Sequence, residues 1–239
     1  MYNSNKKLIL IISCLDRPGI ISSVSNFLFK NKFNILESSQ FKDTKNNKFF
    51  MRVCFTNINI NKNKSFKKIN TDFHKVAKKY NMNFNFFDIS KKQKVLVMVS
   101  KFGHCLNNIL YQWKTGALNC DIPLIVSNHS DMKDVVKPYK IKYLNLKINK
   151  KNKGVQEKKL SELIKKNNID LVVLARYMQV LSPKICKLLE GKIINIHHSF
   201  LPSFKGARPY NQAFQQGVKI IGATAHYVTN KLDEGQIIE

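Results

Sequence analysis

Residues 94–239 carry a succession of short apolar runs, near 94–99, 122–127, 142–145, 170–174 and 192–195, separated by stretches with helical character. Two of them, Val95-Leu96-Val97-Met98-Val99 and Leu171-Val172-Val173-Leu174, are apolar at every position. Parallel strands are joined by helical crossovers, which is how strand-like runs come to alternate with helical stretches. The pattern predicts an α/β domain on a doubly wound, mostly parallel sheet. Ligands of such sheets sit outside the carboxyl ends of the strands, and Asn195 and Arg176 fall at such ends.

The preceding segment has a different rhythm. An apolar strand over 8–14 runs into an Asp16-Arg17-Pro18-Gly19 turn, with Pro18 placed to head a helix. Ile20, Ile21, Val24, Phe27 and Leu28 then recur at helical spacing. Strands over 34–41 and 48–55 flank Lys45-Asn46-Asn47 as a hairpin. A helix over about 65–80 and a strand over 83–88 complete a ferredoxin-like βαββαβ order. A chain of 239 residues is long enough for two modest cores. The polar stretch Ile89-Ser90-Lys91-Lys92-Gln93 divides it into a first domain over 1–89 and a second over 93–239.

The chemistry is concentrated near the carboxyl end. Asn195 and His197 are two apart on a segment that begins as a strand, so both side chains leave the same face. An amide donor and an imidazole can then address one carbonyl oxygen. Leu232-Asp233-Glu234-Gly235 forms a turn between β-rich segments 223–228 and 236–238, where the carboxylate is placed to act as a base. The trio suits hydrolysis or transfer of an acyl group. Each residue alone also suits a plainer role: Asn195 capping a turn, His197 satisfied in a core, Asp233 serving turn geometry.

Together with the motifs around them, these residues resemble the 10-formyltetrahydrofolate-dependent formyltransferase family, in which an Asn-x-His pair and a distal Asp before Gly surround the formyl group. Transferases of that superfamily usually carry Pro after the His and hydrolases a second His. His198 stands there, so the chain resembles the formyltetrahydrofolate deformylases. Leu174-Ala175-Arg176-Tyr177-Met178-Gln179-Val180-Leu181-Ser182-Pro183 is similar to the family's folate-binding loop. Val95 to Lys101, followed by His104-Cys105-Leu106, is similar to the deformylase form of the first strand and its turn. Glycinamide ribonucleotide formyltransferases have a Gly-rich turn there that holds a phosphate on backbone N–H groups. This chain has Gly103 alone, which leaves water as the nucleophile. At the amino end, Ile11-Ile12-Ser13-Cys14-Leu15-Asp16-Arg17-Pro18-Gly19-Ile20 with Val24-Ser25-Asn26-Phe27-Leu28 resembles the start of an ACT regulatory domain.

The resemblance implies hydrolysis of 10-formyltetrahydrofolate to formate and tetrahydrofolate, supplying formate for purine synthesis and balancing one-carbon pools. It assigns Asn195, His197 and Asp233 to catalysis, and Met178, Gln179, Val180, Leu181, His198 and His226 to substrate binding. Asp16, Arg17, Pro18, Gly19 and Ile20 would meet a small amino-acid effector, with ACT pairing giving a homo-oligomer. Neither a cofactor nor a metal is implied, the folate being the substrate. Family members continue past the Asp-Glu-Gly-x-Ile-Ile segment, so a chain ending at Glu239 reads as incomplete, decayed or partner-dependent. Two alternatives follow: a transferase that delivers formyl to a small amine, and a non-catalytic folate- or amino-acid-binding protein.

The net charge of +26 would suit a nucleic-acid or anionic-membrane partner. Only four of the 41 basic residues are arginine, however (Arg17, Arg52, Arg176, Arg208), and the lysines are dispersed among asparagines. Bidentate phosphate recognition favours arginine, so the composition speaks against a dedicated nucleic-acid surface. Five cysteines, an odd number without metal-type spacing, indicate reduced thiols. The apolar run that ends at Ser13 is too short for a membrane span or for a signal-peptide core with its cleavage site. A cytoplasmic protein without a membrane partner is expected.

Overall fold

In a computed structural model of the chain, residues 7–57 and 66–239 are described. The chain divides into two compact units, Met1–Lys91 and Lys92–Glu239. The first contains β1 (Lys7–Leu15), α1 (Ile20–Lys30), β2 (Phe33–Asp43), β3 (Lys48–Asn57), α2 (Phe66–Tyr80) and β4 (Asn83–Asp88). This is the βαββαβ order, on an antiparallel sheet arranged β2-β3-β1-β4. The helix expected from about residue 65 begins at Phe66, residue 65 lying outside the described residues.

Strand alternation sorts the side chains of this unit. Leu8, Leu10 and Ile12 of β1 and Met51, Val53 and Phe55 of β3 are buried against Val24, Phe27 and Leu28 of α1 and Ile69, Phe73 and Ala77 of α2. Pro18 does not head α1; the helix starts at Ile20 with Gly19 as its cap at φ 89°. The turn into the helix needs a left-handed residue, which glycine adopts freely and proline cannot.

The second unit contains β5 (Gln93–Val99), α3 (His104–Lys114), β6 (Cys120–Ser127), α4 (Lys133–Val136), β7 (Lys142–Asn145), α5 (Lys153–Lys166), β8 (Leu171–Ala175), α6 (Pro183–Leu188), β9 (Ile193–His197), α7 (Pro209–Gln215) and β10 (Thr224–Tyr227). Its six-stranded sheet is arranged β10-β9-β8-β5-β6-β7, parallel except for β10, which runs antiparallel to β9. The chain first builds outward from β5 to β7, then returns to build β8 and β9 on the other side, so the sheet is doubly wound. Val95, Val97 and Val99 pack on one face with Leu106 and Leu110 of α3. Leu96 and Met98 pack on the other with Leu160 and Ile164 of α5 and Ile185 of α6. That two-sided burial is why β5 is apolar at successive positions. Ser100, Arg176 and His197 stand at the carboxyl ends of β5, β8 and β9. No helix among the described residues is long and apolar enough to cross a membrane.

In the first unit Phe73 is fully buried and meets Phe27, Phe84 and Phe86 edge-on at centroid distances of 5.0, 4.9 and 5.5 Å. Phe73→Ala removes the shared partner of three rings, and urea unfolding of the full chain should show this unit weakened by about 3–5 kcal/mol.

Candidate active site

The site begins with strand register. Asn195 and His197 alternate with Ile196 on β9 and so share a face. Antiparallel pairing sets His226 of β10 opposite Asn195 and Thr224 opposite His197. Asn195 Nδ2 lies 3.1 Å from His226 Nε2. His226 Nδ1 lies 3.0 Å from the Tyr227 carbonyl oxygen, which can only accept, so Nδ1 carries the hydrogen and the neutral ring offers Nε2 as acceptor. The Asn195 amide therefore donates one N–H to His226, which fixes its orientation and leaves its second N–H for the pocket.

His197 is held by the same logic. Its Nε2 lies 2.8 Å from the Phe204 carbonyl oxygen and donates to it, which turns Nδ1 toward Asp233 Oδ2 at 3.5 Å. Asp233 Oδ2 accepts from Gly206 N at 3.0 Å, and Oδ1 lies 3.7 Å from His226 Nε2. His197, His226 and Asp233 are all buried.

Two loops supply the backbone groups. Thr224 Oγ1 donates to Ser199 O at 2.8 Å and accepts from Leu201 N at 3.2 Å, fixing the segment that presents Phe204 O and Gly206 N. Asp233 has a left-handed φ of 54°, and its turn is tied to β10 by Tyr227 N donating to Gln236 O at 2.9 Å and Ile238 N donating to Ala225 O at 2.7 Å. Gly235 lies so close to Tyr227 that an added Cβ would overlap the carbonyl oxygen holding His226.

These residues form one wall of a cavity of about 240 Å³. Leu174, Met178, Val180, Leu181, Val228 and Leu232 give it apolar surface, and Gln179, Arg176 and His198 also line it. The loop after β8 is pinned at two points. Met178 N donates to Ser100 Oγ at 2.9 Å while Ser100 Oγ donates to the Asn128 amide oxygen at 2.7 Å. At the other end Ser182 N donates to the buried Glu157 carboxylate at 2.9 Å, and Ser182 Oγ caps α6. Met178 and Val180 remain exposed and Leu181 is buried. His198 packs edge-on against Tyr210 at 5.2 Å, and burial together with the nearby Arg176 charge pushes its pKa down. Burial pushes the Cys105 thiol up, which speaks against a thiolate nucleophile. Among the described residues no three His, Cys, Asp or Glu side chains form a group that could hold a metal ion.

Asn195, His197, Asp233, His198, His226 and the residues 178–181 therefore meet at one cavity. Sequence reasoning missed the Phe204 and Tyr227 carbonyls and the Gly206 N–H, which orient the histidines and the aspartate. Backbone groups leave no side-chain signature. It also missed the Ser100 and Glu157 pins, which belong to elements distant in sequence. In the first unit, Asp16 Oδ2 lies 2.6 Å from Lys42 Nζ and the Arg17 guanidinium 5.3 Å from the Tyr80 ring. The Tyr80 hydroxyl donates to Gly19 O at 3.0 Å. Asp16, Arg17, Pro18 and Gly19 reach the surface, whereas the Ile20 side chain belongs to the core.

A Rossmann-like sheet with an Asn, His and Asp gathered at its carboxyl edge defines a formyl-handling enzyme class, and residues 93–239 match the formyl transferase family. Residues 8–63 match the ACT domain family. A formyltetrahydrofolate deformylase of Bacillus subtilis is 44% identical over 231 residues, covering 96% of this chain and 76% of the relative. A solved formyltetrahydrofolate deformylase from Pseudomonas syringae superposes with a TM-score of 0.92 at 39% identity, covering 100% of this chain and 79% of that one. A phosphoribosylglycinamide formyltransferase from Anaplasma phagocytophilum shares the fold over 62% of this chain and 70% of its own, with a TM-score of 0.56 and 34% identity. The chain belongs to the formyltetrahydrofolate deformylase family.

Gly235→Ala should test the closeness of the Asp233 turn to β10. Displacing the turn by about 1 Å should lower turnover roughly 100-fold or more, and stopped-time assays of the folded variant, checked by circular dichroism, measure it.

Proposed function

We propose that this chain hydrolyses 10-formyltetrahydrofolate to formate and tetrahydrofolate, with residues 93–239 as the catalytic domain and 1–89 as a regulatory ACT domain. The observation that carries the reading is the Asn195, His197 and Asp233 set on one wall of a cavity whose other wall is the apolar loop 178–181. The pterin ring lies against Met178, Val180 and Leu181, with backbone groups of Gln179 and Leu181 reading its polar edge. Water adds to the formyl carbon and gives up a proton to Asp233. The carbonyl oxygen takes the negative charge and accepts from the free Asn195 N–H. The C–N10 bond then breaks as N10 takes the proton held by Asp233, the hydroxyl proton of the intermediate passes to solvent, and formate departs. His198, held against Tyr210, and His226, locked to Asn195, orient these groups. The product formate would feed purine synthesis and balance one-carbon pools.

Purified protein should release formate from 10-formyltetrahydrofolate without an amine acceptor; release that required an amine would identify a transferase instead. Asp233→Asn should cut kcat by about 100- to 10,000-fold with folate binding retained. Asn195→Ala should cut kcat by about 100- to 1,000-fold with a smaller change in KM. Near-normal kcat in either variant would remove that residue from the chemistry.

The ACT resemblance supports a small amino-acid effector at the Asp16–Gly19 turn and a homo-oligomer paired through these domains. The five unpaired cysteines fit a reducing cytoplasm. Sedimentation at micromolar concentration should show an assembly larger than one chain. Glycine or methionine should change the rate of formate release, and an Arg17→Ala variant should blunt that response. A monomer indifferent to small amino acids would contradict both expectations.

A further inference from the structure

The mechanism leaves Arg176 without a task, although it lines the cavity beside Asn195, His197 and His198. It stands where the strand order reverses. β6 and β7 lie on one side of β5 and β8 and β9 on the other, and the helices after β5 and β8 cover opposite faces. A crevice opens between two such carboxyl ends, the place where doubly wound sheets take their ligands. Ser100 N donates to Arg176 O across it at 3.3 Å. Arg176 turns out of the sheet with a left-handed φ of 56°, and its guanidinium carbon lies 5.4 Å from the Phe102 ring.

Two needs of this side chain are unmet. Arg176 Nε is buried and has no hydrogen-bond partner among the described residues, and a buried donor left in that condition is costly. Its charge is also unanswered. The cavity's one lining carboxylate, Asp233, already accepts from Gly206 N and faces both histidines. By contrast Arg52 pairs with Glu37 at 3.3 Å, while the Arg176 guanidinium has the Phe102 ring beside it and no carboxylate partner among the described residues. In a chain whose cations are nearly all lysine, a half-buried arginine in the cavity marks a demand for a planar fork of donors.

The formyl group that enters is neutral, and the carboxylate it becomes is planar and anionic. We infer that Arg176 is the site at which the product formate is held, its guanidinium bridging both oxygens of a one-carbon carboxylate at the switch point of the sheet. The position fits a product site because Arg176 lines the same cavity as Asn195, His197 and Asp233. The folate's own carboxylates lie at the far end of the substrate from the reacting carbon. This inference deepens the deformylase reading and rests on it.

The test uses the full chain and formate itself. Tetrahydrofolate formation is followed with added sodium formate, with sodium chloride at matched ionic strength as control. Wild type should be inhibited by formate, and Arg176→Gln should raise the inhibition constant about tenfold or more, with Arg176→Lys between them. Arg176→Met, which keeps the aliphatic stem over Phe102, replaces the Gln variant should that one fail to fold. Line broadening of carbon-13 formate on folate-free protein repeats the comparison without turnover. Arg176-dependent broadening in a protein that releases no formate would sink the deformylase reading and leave the anion site standing. Equal inhibition constants and line widths in wild type and a folded Arg176 variant would overturn the site. A variant whose KM for the folate rises while formate inhibition is unchanged would move the guanidinium to the glutamate tail and likewise overturn it.

Discussion

A carboxylate taken out of water has to be met on every side, and Asp233 is the group around which the last forty-odd residues are arranged. One oxygen takes the Gly206 N–H and faces His197; the other faces His226. Each imidazole is in turn fixed from behind by a carbonyl, Phe204 for His197 and Tyr227 for His226. The loop carrying Phe204 and Gly206 is itself held by Thr224 of β10. The orientation of both imidazoles is thus set by backbone carbonyls, and the Asn195 amide is oriented in turn by His226.

The parts of this design that depend on one-dimensional spacing were legible in the sequence. The alternation of strand-like runs with helical stretches announced a doubly wound sheet, and the two-residue spacing of Asn195 and His197 announced a shared face. The pairing of Asn195 with His226 was not legible, because it follows from an antiparallel register between β9 and β10 that no local pattern specifies. Gly19 shows the same limit on a small scale. Proline suggested the start of α1, and the backbone rotation needed at the turn placed the start after the glycine.

Charge divides in a similar way. The excess of lysine is spread over surface positions, where ion pairs such as Lys205–Glu234 at 3.0 Å contribute little. Around the cavity few charged or titratable groups are present, Arg176, Lys231, Asp233 and three histidines. The net charge of the whole chain says little about the field at the reacting atoms, because exposed charges are screened within about 8–10 Å while buried ones are not.

The loop after β8 is fastened by Ser100 near its beginning and by Glu157 at its end, and only residues 179 to 181 lie between the two fastenings. Neither fastening involves a side chain of those three residues. The side chains of Gln179 and Val180 can therefore change without altering the path of the backbone, whereas Leu181 is tied to the core of the domain.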